Sequence, residues 1–127
     1  MAKLNRIILC VDDEENPLVL RKLVLQKAGY EVITARSAKE ALQIISSREV
    51  DLVLSDHLMP EITGVELARE LKTRDPKLLV MLISGMNEIP AGAALADVFV
   101  SKVEGPDHLC REVAAVLGSV ASGGNPS

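Results

Sequence analysis

The 127-residue chain contains few aromatic side chains and few cysteines. Tyr30 and Phe99 are its only aromatic residues, so stacking on nucleotide bases or sugar rings is a poor basis for its function. Cys10 and Cys110 lie far apart and have no metal-ligand spacing. We therefore interpret both as free thiols of a protein in a reducing compartment, the cytoplasm.

Excess positive charge and long apolar runs are also missing. The formal net charge is −4, and without a basic surface we expect no nucleic-acid binding by this domain. No apolar run approaches the roughly 18 residues of a membrane span, which argues against membrane insertion. The apolar stretch near the N-terminus ends at Val11 before two acids, so it is not a signal peptide.

Short apolar runs alternate with segments of helical periodicity along the whole chain. This alternation is typical of an α/β domain with a parallel sheet buried on both faces by helices. Right-handed crossovers then favour a doubly wound sheet with the strand order 2-1-3-4-5. The five strands are predicted at 6–11, 31–35, 51–55, 78–83 and 98–101. We expect one domain over 1–118 and a flexible Gly/Ser-rich tail over 119–127.

Capping residues predict where the helices begin and end. The first helix is expected to start at Asn16 with Pro17 at its first position and to close at Gly29, with Leu20, Leu23, Val24 and Lys27 at helical spacing. Ser37 and Glu40 predict a capping box for the second helix, and a third is expected at 65–73. Asp107 is expected to cap the last helix. Gly85, Pro90 and Gly92 leave room for only one or two turns between Ser84 and Val98.

Four apolar runs end in residues suited to binding a phosphate or a hard metal ion. These terminal residues are Asp12 with Asp13 after the first run, then Asp56, Ser84 and Lys102 after the other three. The carboxyl ends of parallel strands share one edge, where doubly wound sheets bind ligands at the point of strand-order reversal. Three carboxylates in one crevice repel each other and favour a hard cation such as Mg²⁺. With the Ser84 hydroxyl and Lys102 they suit phosphoryl transfer, in which Asp56 can attack phosphorus.

An ordered set of motifs at these strand ends resembles the receiver domain of bacterial two-component response regulators, a flavodoxin-like fold, over residues 6–117. Single motifs of this kind are weak, whereas the complete ordered set is specific. The set comprises Val11-Asp12-Asp13-Glu14, Ser55-Asp56-His57-Leu58-Met59-Pro60 with Gly64, Ser84-Gly85, and Phe99-Val100-Ser101-Lys102.

The resemblance implies a role for each matching residue. Asp56 would be the phosphoacceptor and a metal ligand, while Asp13 would bind Mg²⁺ directly and Asp12 through water. The backbone carbonyl of Leu58 would complete the protein ligands. By the same resemblance, the Ser84 hydroxyl and the Phe99 ring would be the switch groups. The Lys102 ammonium group would be the cation that binds the phosphate. From the residues alone, Phe99 is also compatible with ordinary packing. His57 is compatible with a base or with a residue that shapes access to Asp56, and also with a partly exposed loop position.

The function implied by the resemblance is that of a signalling phosphoacceptor and not a metabolic enzyme. A sensor histidine kinase or a phosphotransfer protein would phosphorylate Asp56 in a Mg²⁺-dependent reaction, and the domain would hydrolyse the phosphoryl group slowly. Phosphorylation would switch protein–protein contacts, and homodimerisation remains open. The alternative is a degenerate receiver that binds proteins without phosphorylation. The chain lacks the Asp-x-Asp motif of an Asp-nucleophile phosphohydrolase. It also lacks the phosphate loop and the stacking aromatic residues of a flavodoxin-type flavin site.

Two features depart from the family pattern. Val103 follows Lys102, where the family usually has a cis proline, and a cis bond before a non-proline residue costs about 2.5–4 kcal/mol. We therefore predict a trans peptide and a rearranged loop there. The segment between Ser84 and Lys102 is shorter than the family norm by about one helical turn. We expect the phosphorylation chemistry to be kept and the output surface to be non-standard.

Overall fold

The structure is a computed structural model, and it describes residues 6–57, 62–84, 98–101 and 105–121. The described strands are β1 (Ile7–Val11), β2 (Glu31–Ala35), β3 (Leu52–Asp56), β4 (Leu79–Ser84) and β5 (Val98–Ser101). The described helices are α1 (Glu15–Lys27), α2 (Ala38–Ser47), α3 (Gly64–Arg74) and α4 (Gly105–Ala121). The predicted strand positions agree with these bounds to within one residue at each end.

The sheet is parallel throughout and has the order β2-β1-β3-β4-β5, as predicted. The order reverses between β1 and β3, because β2 lies outside β1 while β4 and β5 continue beyond β3. All five strands run in the same direction, so their carboxyl ends meet at one edge. The α/β doubly wound fold class predicted from the sequence is confirmed.

Two apolar layers cover the two faces of the sheet. On one face, Ile8 and Cys10 of β1 pack in a cluster with residues of α1 and α4, including Leu25 and Val113. On the other face, alternate residues of the same strands pack in a cluster with residues of α2 and α3, including Leu71. This alternation follows from the two-residue period of a strand and holds the carboxyl edge between two packed layers.

Helix α1 begins earlier than predicted, and its buried row includes an arginine. Its N-cap is Glu14, which makes no side-chain cap bond, so Asn16 lies inside the first turn and is not the cap. Gly29 closes the helix as predicted, with a φ of 105°. Leu20 and Leu23, which fall at helical spacing in the sequence, face solvent and are 62% and 57% exposed. The buried row is Leu18, Arg21 and Leu25.

The caps of α2 and α3 differ from the sequence prediction in detail. The Ser37 hydroxyl accepts the Glu40 N–H over 3.1 Å, but the Glu40 carboxylate accepts the N–H of Arg36 and not that of Ser37. The complete capping box is at α3, where Thr63 and Glu66 bond each other's backbone N–H groups. This capping box lies at a helix start for which the sequence predicted none.

Helix α4 is longer than predicted at both ends. It begins at Gly105, so Asp107 lies in its first turn and does not cap it. It continues to Ala121, past the position where the tail was predicted to begin, since one glycine inside a helix costs only about 1 kcal/mol. The segment 85–97, the Lys102–Val103 peptide and most of the predicted tail lie outside the described residues. None of the helices in the described ranges is long and apolar enough to cross a membrane.

Candidate functional site at the carboxyl edge of the sheet

The site lies where β1 and β3 end. Val11 pairs with Ser55 in the parallel ladder, so Asp12 and Asp56 occupy equivalent positions one residue further along. The ladder between β1 and β2 also continues past the strand, since the Asp12 N–H donates to the Ala35 carbonyl over 3.1 Å. Backbone hydrogen bonds of the sheet therefore fix the position of Asp12.

Asp12, Asp13 and Asp56 lie together at this edge. One carboxylate oxygen from each lies within 4.8 Å of the others. Asp12 is fully buried and Asp56 is 4% exposed, while Asp13 is half-buried. All the donor atoms are carboxylate oxygens, which suit a hard divalent cation such as Mg²⁺. The cluster predicted from the strand ends is thus formed, and its geometry fits a metal ion.

Arg21 of α1 contacts this cluster directly. Its Nη1 donates to Oδ2 of Asp12 over 2.8 Å, and both side chains are buried. The other carboxylate oxygen of Asp12 accepts the Glu14 N–H over 2.9 Å. Asp12 is therefore held by protein donors at both oxygens.

Arg36 holds the loop that carries Asp13. This residue directly follows β2, and its Nε and Nη2 atoms donate to the Asp13 carbonyl over 3.4 and 3.1 Å. Its Nη1 also lies 3.6 Å from the carboxylate of Glu15, at the start of α1. The guanidinium thus ties the β1–α1 loop to the end of β2.

The loop after Asp56 passes very close to the start of α3. The Gly64 N–H donates to the His57 carbonyl over 2.7 Å. A Cβ on Gly64 would lie 2.8 Å from the Asp56 carbonyl oxygen and 2.9 Å from the His57 Cα, which is too close for any other residue. His57 is half-buried, and its Nδ1 atom is buried without a hydrogen-bond partner among the described residues.

Of the four remaining predicted site residues, two lie in described strands. Ser84 ends β4 and is 2% exposed. Ile83, just before it, pairs with Asp56, so Ser84 lies at the same edge. Phe99 lies in β5 beside Leu82. Lys102 and Leu58 lie outside the described residues.

Sequence reasoning missed two arginines at the site, and each had a detectable signal. Arg21 lies between Leu18 and Leu25 at spacings of three and four, which marks the buried face of a helix. Arg36 follows β2, and in a parallel sheet this end shares the edge at which the other strands end. Both cations were overlooked because only the apolar helix rows and four of the five strand ends were considered.

Cys10 lies close in sequence to the site but has no reactive character. Burial raises the pKa of its thiol from 9.0 to about 12, so it remains protonated at neutral pH. Burial also raises the pKa of the half-buried Cys110 thiol. Neither cysteine is a candidate nucleophile, as the nucleophilic form of this side chain is the thiolate.

Known proteins resemble this chain in sequence. It is 30% identical over 118 residues to the alkaline phosphatase synthesis transcriptional regulatory protein PhoP of Bacillus subtilis, covering 90% of this chain and 49% of that protein. It is 34% identical over 118 residues to the phosphate regulon transcriptional regulatory protein PhoB of Pseudomonas aeruginosa, covering 88% of this chain and 52% of that protein. The chain thus spans about half the length of these relatives.

Solved structures show the same fold. The response regulator protein TrrA from Thermotoga maritima, solved in complex with Mg²⁺-BeF, is 35% identical with a TM-score of 0.82, covering 87% of this chain and 97% of that one. TrrA has also been solved in complex with the histidine kinase ThkA. Residues 8–114 match the response regulator receiver domain family. This chain therefore belongs to the receiver domains of two-component response regulators.

Proposed function

We propose that this domain is a phosphoacceptor that receives a phosphoryl group on Asp56 in a Mg²⁺-dependent reaction. The observation that carries the proposal is the cluster of Asp12, Asp13 and Asp56 at the switch point of the sheet. Asp56 lies at the end of β3, in the middle of the five strands. The complex of TrrA with Mg²⁺-BeF supports this assignment, since that relative binds this combination.

The residues present fit one Mg²⁺ ion. Asp13, Asp56 and the backbone carbonyl of Leu58 would hold it directly, and Asp12 would do so through water, since both Asp12 oxygens already accept protein hydrogen bonds. When bound, the ion neutralises charge on the phosphoryl oxygens. We assign the further phosphate contacts to the Ser84 hydroxyl, which donates a hydrogen bond, and to the Lys102 ammonium.

The transfer step needs only a phosphohistidine donor. A carboxylate oxygen of Asp56 forms a bond to phosphorus as the phosphorus–nitrogen bond of the donor breaks. The electron pair of that bond stays on the imidazole nitrogen, which takes up a proton from water. The residues of the site position the groups and stabilise their charge, which is the main requirement of phosphoryl transfer. Hydrolysis by the domain itself would be slow, so the domain acts as a switch.

The donor would be a sensor histidine kinase or a phosphotransfer protein. A kinase partner is supported by the TrrA–ThkA complex and by an exposed apolar patch on α1. Val19, Leu20 and Leu23 are 44%, 62% and 57% exposed. Leu20 and Arg21 also line a cavity of about 200 Å³ between α1 and α4, so the patch adjoins the site. Exposed apolar surface of this kind is typical of protein docking.

Phosphorylation of a single aspartate is tested directly by mass. The protein is incubated with Mg²⁺ and acetyl phosphate, and intact mass spectrometry is expected to show one phosphoryl adduct. Asp56→Asn should abolish the adduct, whereas Asp107→Asn in the exposed first turn of α4 should leave it unchanged. Beryllofluoride binding by NMR gives an independent measurement. An unmodified wild type in both experiments would favour the alternative, a receiver that binds proteins without phosphorylation.

We also assign the domain to the cytoplasm and its output to protein–protein contacts. The free thiols Cys10 and Cys110 support a reducing compartment. The output surface would involve β5 and α4, which pack next to each other at one end of the sheet. Size-exclusion chromatography with and without beryllofluoride tests whether that output is homodimerisation.

A further inference from the structure

Arg21 occupies a position in α1 that faces the core. Leu18 and Leu25 flank it on the same row at 3% and 0% exposure, and Arg21 itself is 8% exposed. Removing a guanidinium from water is costly unless a charged partner and hydrogen bonds offset the loss of hydration. Its observed partner is the fully buried carboxylate of Asp12. Arg21 is the one buried arginine among the described residues, and it binds a carboxylate of the three-aspartate cluster.

The Arg21–Asp12 ion pair helps to fix the position of the Asp12 carboxylate without a bound metal. Asp12 is fixed through its N–H to Ala35, through Oδ1 to the Glu14 N–H and through Oδ2 to Arg21. The three carboxylates carry three negative charges, and among the described residues the Arg21 guanidinium offsets one of them. A guanidinium cannot lose its proton at physiological pH, so this contribution is permanent.

We propose that Arg21 is a built-in counter-ion of the metal site, which holds Asp12 in place without metal and limits the affinity for Mg²⁺. This inference rests on the proposed Mg²⁺-dependent function. Arg21 and Mg²⁺ are cations that share the carboxylate of Asp12, so each weakens the other's binding to the cluster. Coupling between two such cations is reciprocal, so removal of the arginine charge must increase the affinity of the cluster for Mg²⁺. Arg21 is in this sense a positioning residue and not a catalytic one.

Four variants separate this electrostatic role from a purely structural one. Arg21→Met makes the local charge more negative by one, and Asp12→Asn makes it less negative by one. The double variant Arg21→Met/Asp12→Asn keeps the local charge of the wild type. Arg21→Lys keeps the charge but changes the donor geometry. Mg²⁺ dissociation constants are measured by calorimetry at about pH 8, well above the ordinary carboxyl pKa.

The expected affinities follow the local charge. Arg21→Met should bind Mg²⁺ about 5- to 150-fold more tightly than wild type, the usual range of coupling between two sites. The double variant should bind more tightly than Asp12→Asn, because the two share the asparagine and differ only at Arg21. Arg21→Lys should stay close to wild type. Mg²⁺ should also raise the melting temperature of Arg21→Met by more than that of wild type.

Arg48→Met is the matched control. Arg48 pairs with Glu31 over 3.0 Å at the opposite edge of the sheet, where both side chains are about half exposed. This variant loses one arginine–carboxylate pair and should leave Mg²⁺ affinity unchanged. If Arg21→Met does not fold, the comparison of Asp12→Asn with the double variant carries the test alone.

Three outcomes count against the proposal. Equal Mg²⁺ affinity in wild type and Arg21→Met, or in Asp12→Asn and the double variant, reduces Arg21 to a structural role while the proposed phosphoacceptor function stands. Absence of Mg²⁺ binding in every protein overturns both this inference and the metal dependence of the proposed function. A loss of fold stability in Arg21→Met without any change in metal response also counts against the counter-ion role.

Discussion

The Gly64 N–H donates to the His57 carbonyl over 2.7 Å, which ties the first residue of α3 to the residue after Asp56. Leu82 of β4 lies against the same point, and its Cδ2 would be 2.9 Å from a Cβ on Gly64. The start of α3 therefore packs against β3 and β4 at the carboxyl edge with no space for a side chain. The position of the proposed acceptor depends on this close approach.

Gly64→Ala should therefore reduce both stability and phosphorylation. The added methyl group meets two backbone atoms that cannot move independently, so we expect a loss of about 1–3 kcal/mol in the free energy of unfolding. Urea unfolding measures the loss, and acetyl phosphate labelling measures the rate at Asp56. Glu70→Ala, at an exposed position of the same helix, is the control. Wild-type values for both quantities in Gly64→Ala would contradict this packing argument.

Arg36→Met should slow phosphorylation without unfolding the domain. The arginine side chain is 54% exposed and its pair with Glu15 is long, so the stability cost should be below about 1 kcal/mol. Loss of its bonds to the Asp13 carbonyl loosens the loop that carries a proposed metal ligand. We expect weaker Mg²⁺ binding and slower labelling by acetyl phosphate. Labelling as fast as in Arg48→Met would show that the loop is held by other contacts.

The strands were predicted well because their apolar runs are continuous and bounded by polar residues, a pattern that buried parallel strands require. Apolar spacing alone does not identify the buried face of α1, because an arginine lies at a core-facing position while Leu20 and Leu23 face solvent. Only three-dimensional contact shows that Asp12 neutralises this arginine. The sequence likewise placed Asp12, Asp13 and Asp56 together, but it contained no direct signal for the packing of Gly64.

Leu20→Asp should separate docking from chemistry. Leu20 is 62% exposed on α1, so a charge there should change stability by no more than about 0.5 kcal/mol. Labelling by acetyl phosphate, which needs no docking surface, should be unchanged. Transfer from a phosphorylated histidine kinase that is active on the wild type should be several-fold slower.

The control for this docking prediction is Gln43→Asp, at an exposed position of α2, which packs on the opposite face of the sheet from α1. It should behave like the wild type with both donors. Equal slowing of kinase transfer in both variants would indicate a general charge effect, and no slowing in Leu20→Asp would place the kinase on another surface.

Cys10 should make stability depend on pH in the alkaline range. Its folded pKa is about 12 against an ordinary 9.0, so the thiol ionises first in the unfolded chain. This stabilisation is complete below pH 9 and is lost as the pH rises towards the folded value. Between about pH 8 and pH 10 we expect Cys10 to contribute a loss of about 1.4 kcal/mol.

Urea unfolding of wild type and Cys10→Val at the two pH values measures this contribution. The variant keeps an apolar side chain of similar size and should lose less stability on alkalinisation. Cys110→Val is the control for the half-buried thiol. An identical pH dependence of wild type and Cys10→Val would contradict the assignment.

The three bonds that fix Asp12 also determine how the site can adapt to ions of different radius. A fully buried carboxylate held at both oxygens and at its backbone cannot follow a change in ion size without disturbing β2 and α1. Asp13 is half-buried on the following loop and has more freedom. Exchange of Mg²⁺ for the larger Mn²⁺ or Ca²⁺ should therefore displace Asp13 while Asp12 keeps its place.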